Sequence, residues 1–241
     1  MDELNDQRLA VLIDADNISH AHIKDIMEEI ARYGTPTFKR LYGDLTKPNL
    51  NGWKQVLLEH AITPVQQYGY TTGKNSTDSA MIIDAMDILY SGRTDGFCIV
   101  SSDSDFPRLA VRLREAGMRV IGIGERKTPG PFIAACEKFI YIEAIRSANK
   151  KAEPVNEPIS DKQRRELVEL IAASISDLED DNGWAFLGEV GTLLLKKRPD
   201  FDPRNFGFSK LTPLIKSLDS FDLDERETNK RKGRIIYIRN R

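Results

Sequence analysis

Residues 9–13, Leu-Ala-Val-Leu-Ile, run without interruption into an aspartate, Asp14. An apolar run with no polar alternation marks a strand covered on both faces, as in the middle of a parallel sheet. Parallel strands need crossover connections, and helical patterns follow at the right intervals. Residues 18–33 place Ile23, Ile26, Met27 and Ile30 on one helical face and stop at Gly34. Residues 37–42 read as a second strand, 53–60 as a short helix and 63–68 as a third strand. The stretch 76–90 is strongly helical, with Ala80, Ile83, Met86, Ile88 and Leu89 predicting a largely buried element. A strand at 97–100, a helix at 107–116 stopped by Gly117, a strand at 119–123 and a last short strand at 139–142 complete the series. This alternation predicts a Rossmann-like α/β domain, a mostly parallel sheet with helices on both faces.

Residues 147–160 break the rhythm. They hold Pro154 and Pro158 and little apolar material, the profile of an exposed linker between a domain at 1–146 and another at 161–241. Helices are expected at 161–177, at 187–197, from Asp202-Pro203 and at 210–218. Two β-like runs follow, 221–223 and 234–238, which predicts a small winged-helix-like domain. With 40% hydrophobic and 30% charged residues in 241, both domains can bury a core, and pervasive disorder is excluded. The formal net charge of -2 offers no global attraction to nucleic acid, so any such binding rests on local patches. Cys98 and Cys136 have no metal-ligand spacing, and Cys98 in Phe97-Cys98-Ile99-Val100 reads as a small buried hydrophobe. The acidic first residues lack the pattern of a signal peptide, and no apolar run approaches the roughly 18 residues of a bilayer span. A soluble, reduced, cytoplasmic protein with no membrane partner is expected.

Ligands of a parallel α/β sheet bind just beyond the carboxyl ends of its strands. Asp14 ends the first strand, with Asp16 and Asn17 in the turn after it. Asp103 and Asp105 follow Val100-Ser101-Ser102 at the end of the fourth, and Asp78 opens the long helix introduced by Gly73-Lys74-Asn75-Ser76-Thr77. Three separate segments thus deliver carboxylates to one edge. Like charges brought together need a counter-ion, and oxygen-only donors favour a hard cation, Mg²⁺ or Mn²⁺, over zinc. A cation held this way beside open coordination positions supports phosphodiester hydrolysis. Structural readings stand beside this one. Asp105 is placed to cap the next helix, Asp78 to meet a helix dipole, Asp16 to make a turn and Asn17 to cap. Asp14 and Asp103 resist such readings, because a charge ending an apolar strand has little structural purpose. Asp84 lies six positions past Asp78, about 600° of helical rotation, so the two share no face closely. A salt bridge and a part in orienting ligands both suit it.

The segments Leu12-Ile13-Asp14-Ala15-Asp16-Asn17, Lys74-Asn75-Ser76-Thr77-Asp78 and Ile99-Val100-Ser101-Ser102-Asp103-Ser104-Asp105-Phe106 resemble, in order and spacing, the three signatures of the NYN domain. That family belongs to the PIN-like nuclease superfamily, and the resemblance covers about residues 8 to 145. It implies a PIN-type fold and Mg²⁺- or Mn²⁺-dependent RNA cleavage, with Asp14, Asp78 and Asp103 as metal-binding acids. Asn17 maps onto the family's first-strand asparagine and Asp105 onto an auxiliary acid. Gly183-Trp184-Ala185-Phe186-Leu187-Gly188, residues 198–207 and Phe208-Ser209-Lys210-Leu211 resemble the LOTUS, or OST-HTH, domain over about residues 162 to 239. That resemblance implies a winged helix binding RNA or a protein partner.

Other features are less decisive. Lys74 is placed to meet a phosphate, or is an ordinary loop lysine. In Tyr68-Gly69-Tyr70, stacking on a base competes with packing of the loop. His20 and His22 diverge by about 200° on a helix, which favours surface histidines over metal ligands. Gly122-Ile123-Gly124 lacks a third glycine, and nicotinamide binding is rejected. Lys230-Arg231-Lys232-Gly233-Arg234 forms a basic tip suited to phosphate backbones, though Asp222, Asp224, Glu225 and Glu227 lie near it in sequence. Lys196, Lys197 and Arg198 either extend a basic face or complement a helix end. The leading expectation is a metal-dependent ribonuclease for single-stranded RNA, with an appended RNA- or partner-binding module. A non-catalytic RNA-binding adaptor is the alternative. A haloacid-dehalogenase-like phosphatase using Asp14-Ala15-Asp16 is a weaker one, since Ile18 stands where that chemistry expects Thr or Val. The sequence leaves the number of ions and the oligomeric state open.

Overall fold

In the computed structural model, which describes residues 7–68, 76–149, 160–227 and 234–241, the apolar run becomes β1 (Arg8–Asp14), buried at every position after Arg8. The other strands of its sheet are β2 (Thr35–Gly43), β3 (Thr63–Gln66), β4 (Gly96–Val100), β5 (Arg119–Gly124) and β6 (Lys138–Tyr141). Their order is β3-β2-β1-β4-β5-β6, and every neighbouring pair is parallel. The predicted mostly parallel sheet is therefore present, with β1 in its interior.

Successive residues of a strand point to opposite faces, and β1 sorts its apolar side chains accordingly. Leu9, Val11 and Ile13 pack with Ile23 and Ile26 of α1 (Ile23–Ile30), Trp53 of α2 (Trp53–Glu59) and Ile145 of α6 (Ile142–Asn149). Ala10 and Leu12 meet Met81 and Ala85 of α3 (Ser76–Ser91), Leu109 of α4 (Pro107–Glu115) and Phe132 of α5 (Gly130–Ala135). Full burial of each large aliphatic side chain here contributes about 1.5–3 kcal/mol.

Element ends depart from expectation where local chemistry intervenes. The helix expected over 18–33 opens as a 3-10 turn, His20–His22, because the Ser19 hydroxyl accepts from Ala21 N, and α1 begins only at Ile23. Gly34 is needed for close approach, since a Cβ there would lie 2.2 Å from the Gln7 carbonyl oxygen. The third strand stops at Gln66, short of residue 68. The strand expected at 139–142 occupies Lys138–Tyr141, and Ile142 instead starts α6, where Ile142 and Ile145 join the core on one helical face. α6 continues to Asn149, past the expected domain end at 146, and residues 150–159 of the expected linker lie outside the described residues.

The chain divides into two compact units, 1–149 and 150–241. In the second, α7 (Asp161–Ser176) begins with a capping box: Ser160 Oγ accepts from Gln163 N while Gln163 Oε1 accepts from Ser160 N. α8 (Leu187–Lys197) and α9 (Leu211–Lys216) follow, with a 3-10 turn at Pro203–Phe206 between them. β7 (Ala185–Phe186), β8 (Phe221–Glu227) and β9 (Arg234–Asn240) form an antiparallel sheet ordered β7-β9-β8. Leu167, Ile171, Val190, Leu194, Leu214 and Ile238 make its separate core, completing the expected winged-helix-like domain. Among the described residues, no helix is long and apolar enough to cross a membrane.

Candidate metal centre

The direction in which strands are added reverses between β1 and β4, and it is beyond the carboxyl ends at such a switch point that α/β sheets bind ligands. Asp14, the last residue of β1, is completely buried there. Asp103 stands just beyond Val100 on the neighbouring strand, and Asp78 occupies the first turn of α3, which packs against β1 and β2. One carboxylate oxygen from each of Asp14, Asp78 and Asp103 lies within 4.8 Å of the other two.

Short polar groups hold this arrangement. Asn17 Nδ2 donates to Asp14 Oδ2 at 2.7 Å and to Asp103 Oδ2 at 3.2 Å, bridging the first and fourth strands. Ser101, wholly buried, donates its hydroxyl to Asp14 Oδ2 at 2.7 Å and accepts from Asp103 N at 3.0 Å. Asp16 N donates to Asp14 Oδ1 at 3.1 Å, and Asp105 N to Asp103 Oδ1 at 3.1 Å. Ser101 was not anticipated as a site residue. The only hint was a small hydroxyl residue directly after an apolar strand.

Burial raises the Asp14 carboxyl above the ordinary range, while the hydrogen bonds from Ser101, Asn17 and the Asp16 amide oppose the rise. Burial, followed by the charges of Asp14, Asp103, Asp105 and Asp16, raises Asp78 to about 6. Two full charges 4.8 Å apart repel by ~3.5 kcal/mol at an effective dielectric of ~20. A cation among the three removes that cost. The donors suit one: all are carboxylate oxygens, the hard donors that Mg²⁺ and Mn²⁺ prefer, gathered within 4.8 Å of one another.

The remaining expected residues are placed variously. Asp105 lies outside the group of three, although near enough to raise Asp78. Asp16 pairs with Lys47 at 3.3 Å and accepts from Thr77 Oγ at 3.2 Å, tying the β1 turn to the start of α3. Asn17 caps no helix, since Ser19 caps the turn that follows. Asp84 accepts from Tyr42 and pairs with Arg40, both on β2, so its expected salt bridge is present. His20 packs its ring edge against Trp53, and neither His20 nor His22 joins the acidic group. Gly122 and Gly124 serve packing: Phe139, Cys136, Thr128 and the Ser101 carbonyl fill the space of their missing side chains. Tyr68 is exposed. Tyr70, Lys74, Lys230, Arg231 and Lys232 lie outside the described residues. In the second unit, Lys197 pairs with Asp177 at 2.6 Å and Arg198 with Asp200 at 3.1 Å, which offsets much of the expected basic face. Arg226 stacks on Tyr237 at 4.1 Å and Arg239 on Trp184 at 4.7 Å, pairs that sequence reasoning did not foresee.

A parallel sheet in this strand order, with an acidic cluster at its switch point, defines a Rossmann-like α/β domain with a candidate metal site. Residues 8–143 match the model of the NYN domain, and the chain belongs to that family. Residues 158–232 match the OST-HTH/LOTUS domain, an RNA-binding module. No curated protein matches the chain. Among solved structures, a protein of unknown function from Vibrio parahaemolyticus is 18% identical, with 59% of this chain and 96% of that one covered at a TM-score of 0.49. An uncharacterized protein from Nitrosomonas europaea is 32% identical, covering 39% of this chain and 86% of that one at 0.31. A protein from Chromobacterium violaceum is 35% identical over 31% of this chain and 79% of its own, at 0.27. Superpositions this partial carry no weight for fold or function.

Proposed function

We propose that the protein is a divalent-metal-dependent ribonuclease that hydrolyses phosphodiester bonds in single-stranded RNA. The observation that carries this reading is the convergence of Asp14, Asp78 and Asp103, from three separated segments, to within 4.8 Å. In it these three carboxylates hold Mg²⁺ or Mn²⁺, with Asp105 completing the set. A divalent cation held there would supply Lewis-acid polarisation of a phosphate and acidification of water, the chemistry of direct hydrolysis without a covalent enzyme intermediate. Asn17 holds the Asp14 and Asp103 carboxylates together, and Ser101 fixes that of Asp14. Asn17 is also placed to meet the scissile phosphate. Burial and the neighbouring acids raise the Asp78 carboxyl to about 6, so its competence as a cation ligand grows as pH rises through that value. The OST-HTH/LOTUS domain holds the RNA, and Lys74, Lys230, Arg231 and Lys232 are assigned to its backbone phosphates.

The test is cleavage of a labelled single-stranded RNA with added Mn²⁺, comparing the wild type with Asp14→Asn and Asp103→Asn. Product from the wild type alone supports the proposal. Equal cleavage by all three, or none by any, refutes it, and metal-insensitive RNA binding without product identifies an adaptor instead.

A further inference from the structure

Asp78 belongs to a helix, and a helix must be held in one place before its first turn can complete a site formed by two strands. The apolar side chains of α3 do not do this alone. Met81, Ala85 and Ile88 are buried, but Ile82, Met86 and Leu89 pack partly and Ile83 and Tyr90 are exposed. Met81, Ala85 and Ile88 stand at i, i+4 and i+7, one buried stripe that sets the rotation of the helix. Such contacts are non-directional, so they leave sliding along the axis weakly opposed.

Directional contacts come from Asp84. One of its carboxylate oxygens pairs with the Arg40 guanidinium and the other accepts the Tyr42 hydroxyl. Both partners are on β2. Tyr42 is wholly buried and stands opposite Asp14 in the β1–β2 register, and its carbonyl accepts from Ala15 N at 2.9 Å. The chain of contacts thus runs from Asp84 through Tyr42 to the strand end that carries Asp14. Asp84 lies six residues from Asp78, ~9 Å along the helix axis at 1.5 Å per residue. A slip by one residue would displace Asp78 by ~1.5 Å, enough to take its oxygen out of a ligand set.

We infer that Asp84, clamped by Arg40 and Tyr42, is a positioning residue that fixes α3 on β2 and so sets Asp78 against Asp14 and Asp103. The inference rests on the metal-centre reading above. Its charge is balanced by Arg40, so the clamp orders the acidic group without adding to its repulsion.

The experiment measures Mn²⁺ binding to the full chain by titration calorimetry, well below the melting temperature, for the wild type, Asp14→Asn, Asp84→Asn and Tyr42→Phe. Circular dichroism is recorded on the same samples. The expected result is that Asp84→Asn and Tyr42→Phe stay folded and bind Mn²⁺ about tenfold or more weakly. A purely structural clamp would lower the melting temperature and leave the affinity of the folded protein unchanged. Affinity within twofold of the wild type in folded Tyr42→Phe overturns the inference. Tyr42→Phe removes a single oxygen, so it decides the matter should Asp84→Asn not fold. If the wild type takes up no Mn²⁺, the metal-centre reading fails and this inference with it. If the wild type binds, Asp14→Asn does not and both clamp variants bind normally, this inference alone fails.

Discussion

Replacing Asp78 with asparagine should stabilise the metal-free protein while abolishing its response to metal. The Asp78 carboxyl rises from 3.8 to about 6 in the folded chain, a difference worth about 3 kcal/mol of unfavourable charge once the group is ionised. The side chain is only partly buried, and screening by solvent cuts this roughly in half. Asparagine also forgoes the favourable placing of a carboxylate in the first turn of a helix, about 0.5 kcal/mol. The net gain for Asp78→Asn is about 1 kcal/mol, or 2–4 °C in melting temperature for a unit of this size. The sign depends on pH. A raised carboxyl binds its proton more tightly folded than unfolded, so the penalty is absent below about pH 4 and grows as pH rises. It is complete above about pH 6. The variant's advantage should therefore be full at pH 8 and smaller at pH 5. Mn²⁺ at a hundred times its dissociation constant should stabilise the wild type by about 2.7 kcal/mol and the variant hardly at all. Scanning calorimetry in chelator and in Mn²⁺, at both pH values, reads all four quantities with the two units' transitions separated. A variant less stable than the wild type in chelator at pH 8, or one that keeps the full Mn²⁺ shift, would refute the electrostatic account of the site.

Ser101→Ala strips a buried hydroxyl from both Asp14 and the Asp103 amide. Urea denaturation in chelator should show a loss of about 1–3 kcal/mol, and Mn²⁺ affinity should drop 10- to 100-fold; unchanged affinity would remove Ser101 from the site. Gly122→Ala sets a methyl group 2.5 Å from the Phe139 ring and 2.7 Å from Cys136 Sγ. Overpacking of that kind costs about 1–3 kcal/mol, and a denaturation midpoint equal to the wild type's would contradict it. Changing Lys230, Arg231 and Lys232 together to alanine should weaken RNA binding and flatten its salt dependence by about 0.7 in log–log slope for each phosphate no longer neutralised. An unaltered slope in filter-binding titrations would show that these residues do not meet phosphate.

The sheet and its acidic rim were legible because both rest on one-dimensional signals. Residues 9–13 announce a strand buried on two faces, and Asp14 and Asp103 stand where apolar strands end. The six-residue spacing of Asp78 and Asp84 correctly separates their directions, one toward Asp14 and Asp103 and the other toward β2. What escaped were elements too short for periodicity to register: α5, six residues beginning after Pro129, and β7, two residues supported only by β9. The end of β6 was misplaced because Ile142 suits a strand and a helix equally, and packing beside Ile145 decides for the helix. Ser101 and the Arg40–Tyr42–Asp84 clamp depend on partners 87 and 42 to 44 residues away. No local pattern encodes contacts of that range.

The central place of β1 has a consequence for synthesis. β1 is made before the other strands of its sheet, and it pairs on one side with β2 and on the other with β4, whose residues 96–100 are translated much later. A growing chain that stops short of that point carries an apolar ribbon with one flank open and two of its three acids without the third. Domains fold as units during synthesis, the N-terminal one first. If the protein cuts RNA as proposed, it gains that ability only once β4 and Asp103 have been translated. Fragments released earlier would be harmless to transcripts and prone to stick through the exposed flank.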